Sequence, residues 1–431
     1  MTKIAFIGAG SVEFTRNVLS DLLTSPELGP LAISLHDIDA ERLATAVRMA
    51  RFIGATTGAD VRIEAYLERR PALDGADYVV NAIQVGGYRA TRLDFDVPAS
   101  YGLRQTIADT IGIGGIFRGL RTIPAVVAIA DDMAEICPDA LLLNYSNPMA
   151  MVPWGVQRGS RFQRVVGLCE SVRDTQGFLA RMVGVPAEEI SFVTAGLNHQ
   201  AFVVTFSHRG RDLYPLLDEA IDRDPELARR VRVELYRRFG YFPTESSEHS
   251  AEYVPWFMRH DDLVERFRIT VGEYLRRSED NLDEHADMKR RLDSGAGFEI
   301  EPTQELAWEV IHSIETGTRR VVACNLRNSG LIENLPDGCC VEVPCLVDRA
   351  GVQPLHVGAL PPQIAALNRT FLNVAELTVL AALEQRRDYV YQAAMLDPNT
   401  GATLPPDRIV AMCDDLIEAH GDVIPEGIRK R

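Results

Sequence analysis

Three side chains far apart in the sequence could together run metal-assisted proton chemistry. Cys169 follows the apolar run 165–168, and His199 follows 191–197 within Asn198-His199-Gln200. Each stands where a buried strand would end. A thiolate and an imidazole, with positions left open for substrate oxygens, would hold a divalent transition metal. The competing reading is a core cysteine and a satisfied core histidine. Tyr253 lies in Thr244-Glu245-Ser246-Ser247-Glu248-His249-Ser250-Ala251-Glu252-Tyr253-Val254-Pro255-Trp256, dense in titratable and aromatic groups and without helical amphipathicity. A tyrosine serves as a general base only where a nearby cation lowers its pKa from about 10. A metal at Cys169 and His199 would supply that cation. The alternative is a surface loop with one anchored Tyr–Trp pair. Cys339, Cys340 and Cys345 resemble a metal knot, but their alternating apolar pattern favours strand core.

A second group of motifs could cradle a nucleotide. Phe6-Ile7-Gly8-Ala9-Gly10-Ser11-Val12-Glu13 follows a strand pattern and precedes a helical one. Gly8 permits a tight turn, and Gly10 lets the backbone approach a pyrophosphate. Ser11 opens the helix whose free N–H groups and dipole favour an anion. Glu13 replaces the third glycine of the usual fingerprint, so an ordinary βα turn competes with this reading. The second strand ends in His36-Asp37-Ile38-Asp39. An acid there, Asp37 above all, can accept from a ribose diol and disfavours a 2′-phosphate, which argues NAD over NADP. One of Asp37 and Asp39 is expected to cap the next helix. Asn81-Ala82-Ile83-Gln84-Val85-Gly86-Gly87 ends another strand with amides, Asn81 and Gln84, and small residues; it suits a bound dinucleotide or a plain loop. Asp109-Thr110-Ile111-Gly112-Ile113-Gly114-Gly115 leads to Arg118 in the first turn of a helix-like segment, either a cradle for phosphate or substrate or a flexible turn. In Asn144-Tyr145-Ser146-Asn147-Pro148, the proline forces Asn147 toward extended backbone. Its amide could meet sugar hydroxyls or the nicotinamide amide, or close an Asx-turn.

These groups need a scaffold that brings strand ends together. Apolar runs at 3–7, 31–35, 78–82, 140–144, 165–168 and 190–193 are interspersed with helical segments such as 11–25 and 40–54. Strands separated by helices predict a mainly parallel sheet, an α/β fold of the Rossmann-type doubly wound class. From about residue 200 the texture changes. Segments 229–238, 262–277 and 281–292 are charged and helical, 331–346 is strand-like with Gly338 in a turn, and 372–395 reads as a helix pair. This predicts an intimately packed second α+β domain, with 1–195 binding NAD and 196–431 serving substrate and metal. No Pro/Gly-rich linker separates them, so a cleft between joined lobes is expected.

Composition narrows the function classes. The chain has 431 residues, 46% hydrophobic and 25% charged, and 45 basic against 61 acidic side chains give a net charge of −16. So acidic a surface repels phosphate backbones and anionic lipid, so neither nucleic acid nor membrane is the expected partner. No run of eighteen apolar residues suggests a membrane span. The first residues read directly as a strand, without a secretion signal. Seven scattered cysteines, an odd number, fit reduced thiols in a cytoplasmic enzyme.

Taken together, these residues resemble glycoside hydrolase family 4, the NAD-dependent glycosidases, and within it the α-galactosidase-like subgroup. The resemblance is carried by Gly8-Ala9-Gly10-Ser11, residues 109–124, Leu143-Asn144-Tyr145-Ser146-Asn147-Pro148-Met149-Ala150, Gly167-Leu168-Cys169, Gly196-Leu197-Asn198-His199, residues 244–257, and Glu333-Asn334-Leu335-Pro336 through Pro361-Pro362. It implies hydrolysis outside the paired-carboxylate scheme. NAD⁺ would take hydride from C3 of the sugar. A divalent metal, commonly Mn²⁺, held by Cys169 and His199, would polarise the C2 and C3 oxygens. Tyr253, matching the family tyrosine, would remove the C2 proton; the aglycone would leave from C1, water would add, and hydride would return. Glu170 stands where the usual galactosidase pattern has His, and is the candidate general acid. Asn147, Asn198, Arg92, Arg118 and His249 are the substrate-side candidates. Because the position of Glu170 tracks substrate choice in the family, a C6-anionic sugar, a sulfoquinovoside or a uronide, rivals an α-galactoside. Arg89, Arg92, Arg118 and Arg173 would be its cationic donors. Homodimers or homotetramers are implied by the resemblance alone. Two other classes compete: a plain NAD-dependent dehydrogenase of malate-dehydrogenase architecture, and a non-catalytic nucleotide sensor.

Overall fold

The computed structural model describes residues 1–430. Its strands, among the described residues, form one sheet: β1 (Thr2–Ile7), β2 (Leu31–His36), β3 (Val61–Tyr66), β4 (Tyr78–Asn81), β5 (Leu141–Asn144), β6 (Val165–Gly167), β7 (Ser191–Leu197), β8 (Gln200–His208), β9 (Arg211–Asp212), β10 (Arg320–Arg327), β11 (Cys340–Asp348) and β12 (Gly351–Pro354). They run in the order β3-β2-β1-β4-β5-β6-β10-β11-β7-β8-β9, with β12 on β11. Strands β1 to β6 are mutually parallel. Their order, 3-2-1-4-5-6, is that of the doubly wound nucleotide fold. From β10 onward every pairing is antiparallel. The expected α/β architecture with a following α+β part is therefore observed, and the two parts share the sheet. The three cysteines expected in strand core lie buried in or beside β11 as free thiols.

Cα partners define one lateral row across eight strands: His36, Ile7, Asn81, Asn144, Gly167, Asn325, Glu342 and Gly196. Buried polar side chains lock neighbouring strands along it. Asn81 Nδ2 donates to Asn144 Oδ1 at 2.8 Å, and Asn325 Nδ2 donates to Glu342 Oε1 at 3.0 Å. These bonds offset part of the cost of burying such groups, although Asn81 Oδ1, Asn325 Oδ1 and Glu342 Oε2 have no partner among the described residues, and losing one partner strands the other.

Three local expectations need correction. β3, Val61-Arg62-Ile63-Glu64-Ala65-Tyr66, has no counterpart in the sequence reading. It is an edge strand, and its alternating charges suit an exposed edge rather than a buried apolar run. The segment 262–277 is not one helix: Asp261–Arg266 stops, and Glu273–Ser294 begins after Arg268 (φ +50°) and Gly272 (φ +73°). The helix containing Arg118 starts earlier, at Gly112, so its glycines occupy the first turn and Arg118 the second.

That helix, Gly112–Ile136, packs against Pro362–Glu384. Both are long and apolar enough to cross a membrane by length and composition. Here they pack on one another closely enough that a Cβ on Gly119 would lie 2.8 Å from Thr378 Cγ2. Burial of an apolar helix face stabilises by about 25 cal/mol per Å². Beside them, Arg121 Nη1 donates to Asp94 Oδ1 at 3.0 Å, and His420 Nε2 lies 2.9 Å from the same oxygen. All three side chains are almost wholly buried. Removing one member of a buried ion pair leaves an uncompensated charge. Arg121→Ala is expected to destabilise the fold by about 3–5 kcal/mol, read from the denaturant midpoint. Arg92→Ala, which removes an exposed i,i+4 pair with Asp96, is expected to cost about 0–1 kcal/mol.

Candidate active site

Gly8, Gly10, Ser11, Asp37, Gln84, Asn147 and Cys169 follow the lateral row within a few residues, where open α/β sheets bind ligands. A crevice of about 790 Å³ opens there, lined in part by Gly8, Gly10, Ser11, Asp37, Gln84 and Asn147. That volume suits a cofactor-sized ligand. Gly8 (φ +84°) turns so tightly that a Cβ would lie 3.0 Å from the Ala82 backbone. A Cβ on Gly10 would meet Asp37 Oδ2 at 2.7 Å and Arg42 Cβ at 2.6 Å. Ser11 caps the helix Val12–Leu23 through its backbone only, without a side-chain cap. Asp37 is committed locally: it accepts from Gly10 N at 2.8 Å and Asp39 N at 2.9 Å. Asp39 is the helix cap, accepting from Glu41 N and Arg42 N. The crevice therefore fits a dinucleotide held by main chain at a helix N-terminus.

The structure places the remaining nucleotide-side residues differently. Gln84 lines the crevice and donates to Thr91 Oγ1 at 3.0 Å. Asn81 is wholly buried and bonds to Asn144 and Ser146. Asn147 Nδ2 donates to Asp109 Oδ2 at 2.8 Å, and its Oδ1 accepts from Met149 N. Arg118 is buried, lines the crevice and donates to Tyr274 Oη at 2.8 Å. Arg92 does not join them. It is exposed and paired with Asp96, because its place on Gly87–Ser100 turns it to solvent.

At the Gly167–Gly196 end of the row the chemistry converges. Cys169 stands two residues past Gly167 and His199 three past Gly196, and Cys169 Sγ lies 3.2 Å from His199 Nε2. His199 Nδ1 lies 2.9 Å from Thr110 Oγ1, which donates to Asp109 Oδ1 at 2.9 Å. This chain puts the proton on Nδ1 and turns the Nε2 lone pair toward Cys169. Burial and His249 push His199 down to about 4, keeping it neutral, the metal-binding form. Burial, Glu245 and Glu342 hold the Cys169 thiol above its ordinary range. A divalent cation is the group that would reverse that preference. A neutral imidazole and a thiol in contact, with carboxylates beside them, fit a transition metal.

His249 is not free to meet a substrate. Its Nδ1 lies 3.0 Å from Glu245 Oε2 and its Nε2 3.7 Å from Asp109 Oδ1. Burial would lower its pKa, but Glu245 and Asp109 carry it up to about 10. Burial opposes ionisation of Asp109 and Glu245, yet His249 holds both below the usual carboxylate range. The His199 and His249 rings lie 4.5 Å apart, and the Tyr253 ring 6.2 Å from His249. Tyr253 is buried, stacked on Phe371, and its hydroxyl has no hydrogen-bond partner among the described residues. Burial, then Asp109, Glu252 and Glu245, push its pKa well up. The preceding residues form a short buried helix, Ser247–Glu252, rather than a surface loop. It is pinned by Glu252, whose carboxylate accepts from the backbone N–H groups of Thr106, Ile107 and Ala108. Glu170 sits half-exposed beside Cys169, 2.8 Å from Arg173; burial raises its pKa and Arg173 lowers it. Asn198 is wholly buried: its Nδ2 donates to Glu342 Oε1 at 3.0 Å, and its Oδ1 is unpaired among the described residues.

Four residues of the site were not singled out from the sequence: Asp109 and Thr110 as acceptor and relay, Glu245 and Glu342. Glu342 lies in Cys340-Val341-Glu342-Val343, and a lone carboxylate in an otherwise apolar strand is a signal of buried function that can be read without a structure.

Comparison with known proteins agrees with this geometry. Residues 3–185 match the description "Family 4 glycosyl hydrolase", and residues 194–400 match "Family 4 glycosyl hydrolase C-terminal domain". An α-galactosidase of Bacillus subtilis (strain 168) is 43% identical over 431 residues, 99% of this chain and 100% of the relative. The crystal structure of lplD from Bacillus subtilis superposes with a TM-score of 0.89 at 26% identity, covering 96% of this chain and 99% of that one. A 6-phospho-α-glucosidase from gut microorganisms, solved with NAD and Mn²⁺, has the same fold, with a TM-score of 0.83 at 21% identity and 99% of each chain covered.

One carboxyl beside the crevice makes stability pH-dependent. Glu305 accepts from Asn17 Nδ2 at 3.1 Å and from Tyr145 Oη at 3.3 Å, and Tyr145 lines the crevice. Burial, then the Glu170 charge, raises its pKa from 4.5 to about 7. Between those values the folded state keeps a proton that the unfolded chain has lost, so this contribution falls as pH rises from 4.5 to about 7 and is level above. Glu305→Gln is expected to lessen the fall of the melting temperature across that window, leaving the part due to Glu252, Glu342 and Asp397, which burial also raises, and to raise it relative to the parent above it. A parallel displacement of the two pH profiles would contradict the assignment.

Proposed function

The chain belongs to glycosyl hydrolase family 4, and on that footing we propose that it is an NAD- and metal-dependent α-glycosidase acting on an α-galactoside-type substrate. Residues 1–195 would carry NAD, and 196–431 would complete the substrate and metal side and the contacts of a homodimer or homotetramer in the cytoplasm. One observation supports the reading: the Gly8–Gly10 turn and the Cys169–His199 pair follow one row of strand ends, with the Tyr253 ring reached from His199 through His249.

When bound, NAD would supply reversible oxidation at C3, and a divalent ion such as Mn²⁺ would draw electron density from the C2 and C3 oxygens. Cys169 and His199 would hold the ion. Tyr253, buried and with no hydrogen-bond partner for its hydroxyl among the described residues, would accept the C2 proton, since a cation beside it would lower its raised pKa and make the phenolate available. Glu170 would give a proton to the glycosidic oxygen as the C1–O bond breaks, and take one from the water that adds to C1. Arg173 orients Glu170 while leaving it reachable from solvent. Tyr253, after exchange with solvent, would then give a proton back to C2, so the sum consumes one water and no cofactor. The unpaired Asn198 Oδ1 and the crevice-lining Asn147 suit sugar hydroxyls. A dehydrogenase reading requires NADH to accumulate; this one requires that it does not.

A second reading, an α-glycosidase for a C6-anionic sugar such as a sulfoquinovoside or uronide, draws on Glu170 replacing the usual histidine and on Arg118, a buried cation at the crevice. Arg92 gives it no support, being engaged outside with Asp96.

Protein supplied with catalytic NAD⁺ and Mn²⁺ is expected to cleave α-galactosides in preference to α-glucosides, α-uronides and α-sulfoquinovosides. In D₂O the product is expected to carry deuterium at C2. Tyr253→Phe should lower kcat by about 10²–10⁴-fold with NAD affinity unchanged. Cleavage without C2 label, or undiminished turnover by Tyr253→Phe, would overturn the mechanism.

A further inference from the structure

Beside the Cys169–His199 pair lies a third side chain with the geometry of a ligand. Cys169, His199 and Glu245 present Sγ, a ring nitrogen and a carboxylate oxygen within 4.8 Å of one another. The two oxygens of Glu245 are used differently. Oε2 accepts from its neighbour Ser246 N at 2.7 Å and faces His249 Nδ1 at 3.0 Å. Oε1 is turned the other way, 3.9 Å from His199 Nε2. That nitrogen is the one whose lone pair faces Cys169, as argued above from Thr110. A carboxylate anchored through one oxygen and open through the other is how a monodentate metal ligand is held.

The segment is built to keep it there. Thr244 N donates to Ala201 O at 2.8 Å, and Val203 N donates to Phe242 O at 2.9 Å, so residues 242–244 pair with the start of β8 immediately past His199. Arg232 Nη1 donates to Glu245 O at 3.1 Å while its guanidinium lies 4.1 Å from the Phe178 ring centroid. Glu245 itself has φ +74°, a backbone conformation rare for a residue with a side chain. Cysteine and histidine ligands together with one carboxylate carry two negative charges, which a divalent ion neutralises. Sulfur–nitrogen contact at 3.2 Å is the separation of two neighbouring ligands on one ion, each about 2.0–2.3 Å from it.

We propose that Glu245 is a third protein ligand of the metal, through Oε1. This rests on the reading of Cys169 and His199 as its other ligands. Three protein donors would leave room on the ion for sugar oxygens and water. Glu245 thereby fixes the ion before substrate arrives, and the Ser246 and His249 contacts set its angle.

The test is a titration of the NAD-loaded protein with Mn²⁺ in the absence of sugar. Free Mn²⁺ is read by electron paramagnetic resonance, and exchangeable waters on the bound ion by water-proton relaxation. Glu245→Ala and Glu245→Gln are both measured; the glutamine carbonyl can keep the Ser246 and His249 contacts, so a folded variant is secured. Both are expected to weaken Mn²⁺ binding roughly a hundredfold and to add one water to the bound ion, with NAD affinity unchanged. Unchanged Mn²⁺ affinity would overturn the proposal, as would weaker binding with an unchanged water count, since the carboxylate would then act from outside the coordination shell. Cys169→Ser separates the premises. If it too leaves Mn²⁺ binding intact, the metal reading itself fails; if it abolishes binding while the Glu245 variants match the parent, only the present inference fails.

Discussion

The lateral register of the sheet is the constraint on which the site depends. His36, Ile7, Asn81, Asn144, Gly167, Asn325, Glu342 and Gly196 are successive Cα partners across eight strands. The proposed groups follow that row within a few residues: Asp37 after His36, Gly8 and Gly10 after Ile7, Gln84 after Asn81, Asn147 after Asn144, Cys169 after Gly167, His199 after Gly196. A one-residue slip in any strand would flip its side chains to the other face. The buried amides and the Glu342 carboxyl lock this register, because in a slipped pairing they would lose partners that water cannot replace. Cys169 and His199 thus meet at 3.2 Å across thirty residues without any local metal-binding spacing.

Electrostatics then divides the labour within that frame. A buried neutral imidazole, a thiol and two carboxylates crowd past the Gly167–Gly196 end of the row, with the protonated His249 between the carboxylates. The excess of anionic donors and the raised phenol describe a place prepared for positive charge. The other end is furnished by main chain, glycines and a helix N-terminus, the surroundings of a polyphosphate. The two sets of groups thus lie past different strands of one row, and the family membership gives that pairing its meaning.

Much of this was legible in the sequence where a signal is local. The apolar runs of β1, β2 and β4 to β6, the glycine turn, and a helix cap at one of Asp37 and Asp39 follow from periodicity and from residues with one strong conformational use. β3 was not legible, since an edge strand with alternating Arg and Glu lacks the apolar signal. The break between Asp261–Arg266 and Glu273–Ser294 was hidden because charged helical sequence continues through it. Pairings between distant residues were legible only through family resemblance, for Cys169 with His199 and Tyr253. Glu245 and Glu342 were passed over. Their roles arise from β-strand pairing and from what lies opposite, which no single segment encodes. Arg92 misled for the converse reason: proximity in sequence to Gln84 says nothing about which face of its helix turns outward.

The account stands on a cation and a nicotinamide meeting at one edge of one sheet. A crystal grown with NAD⁺ and Mn²⁺, with diffraction collected at the manganese absorption edge, tests this most directly. The expected result is one anomalous peak within bonding distance of Cys169 Sγ and His199 Nε2, with the nicotinamide ring in the same crevice and the pyrophosphate over Gly8–Gly10. An ion bound elsewhere, or a dinucleotide whose nicotinamide points away from Cys169, would contradict it.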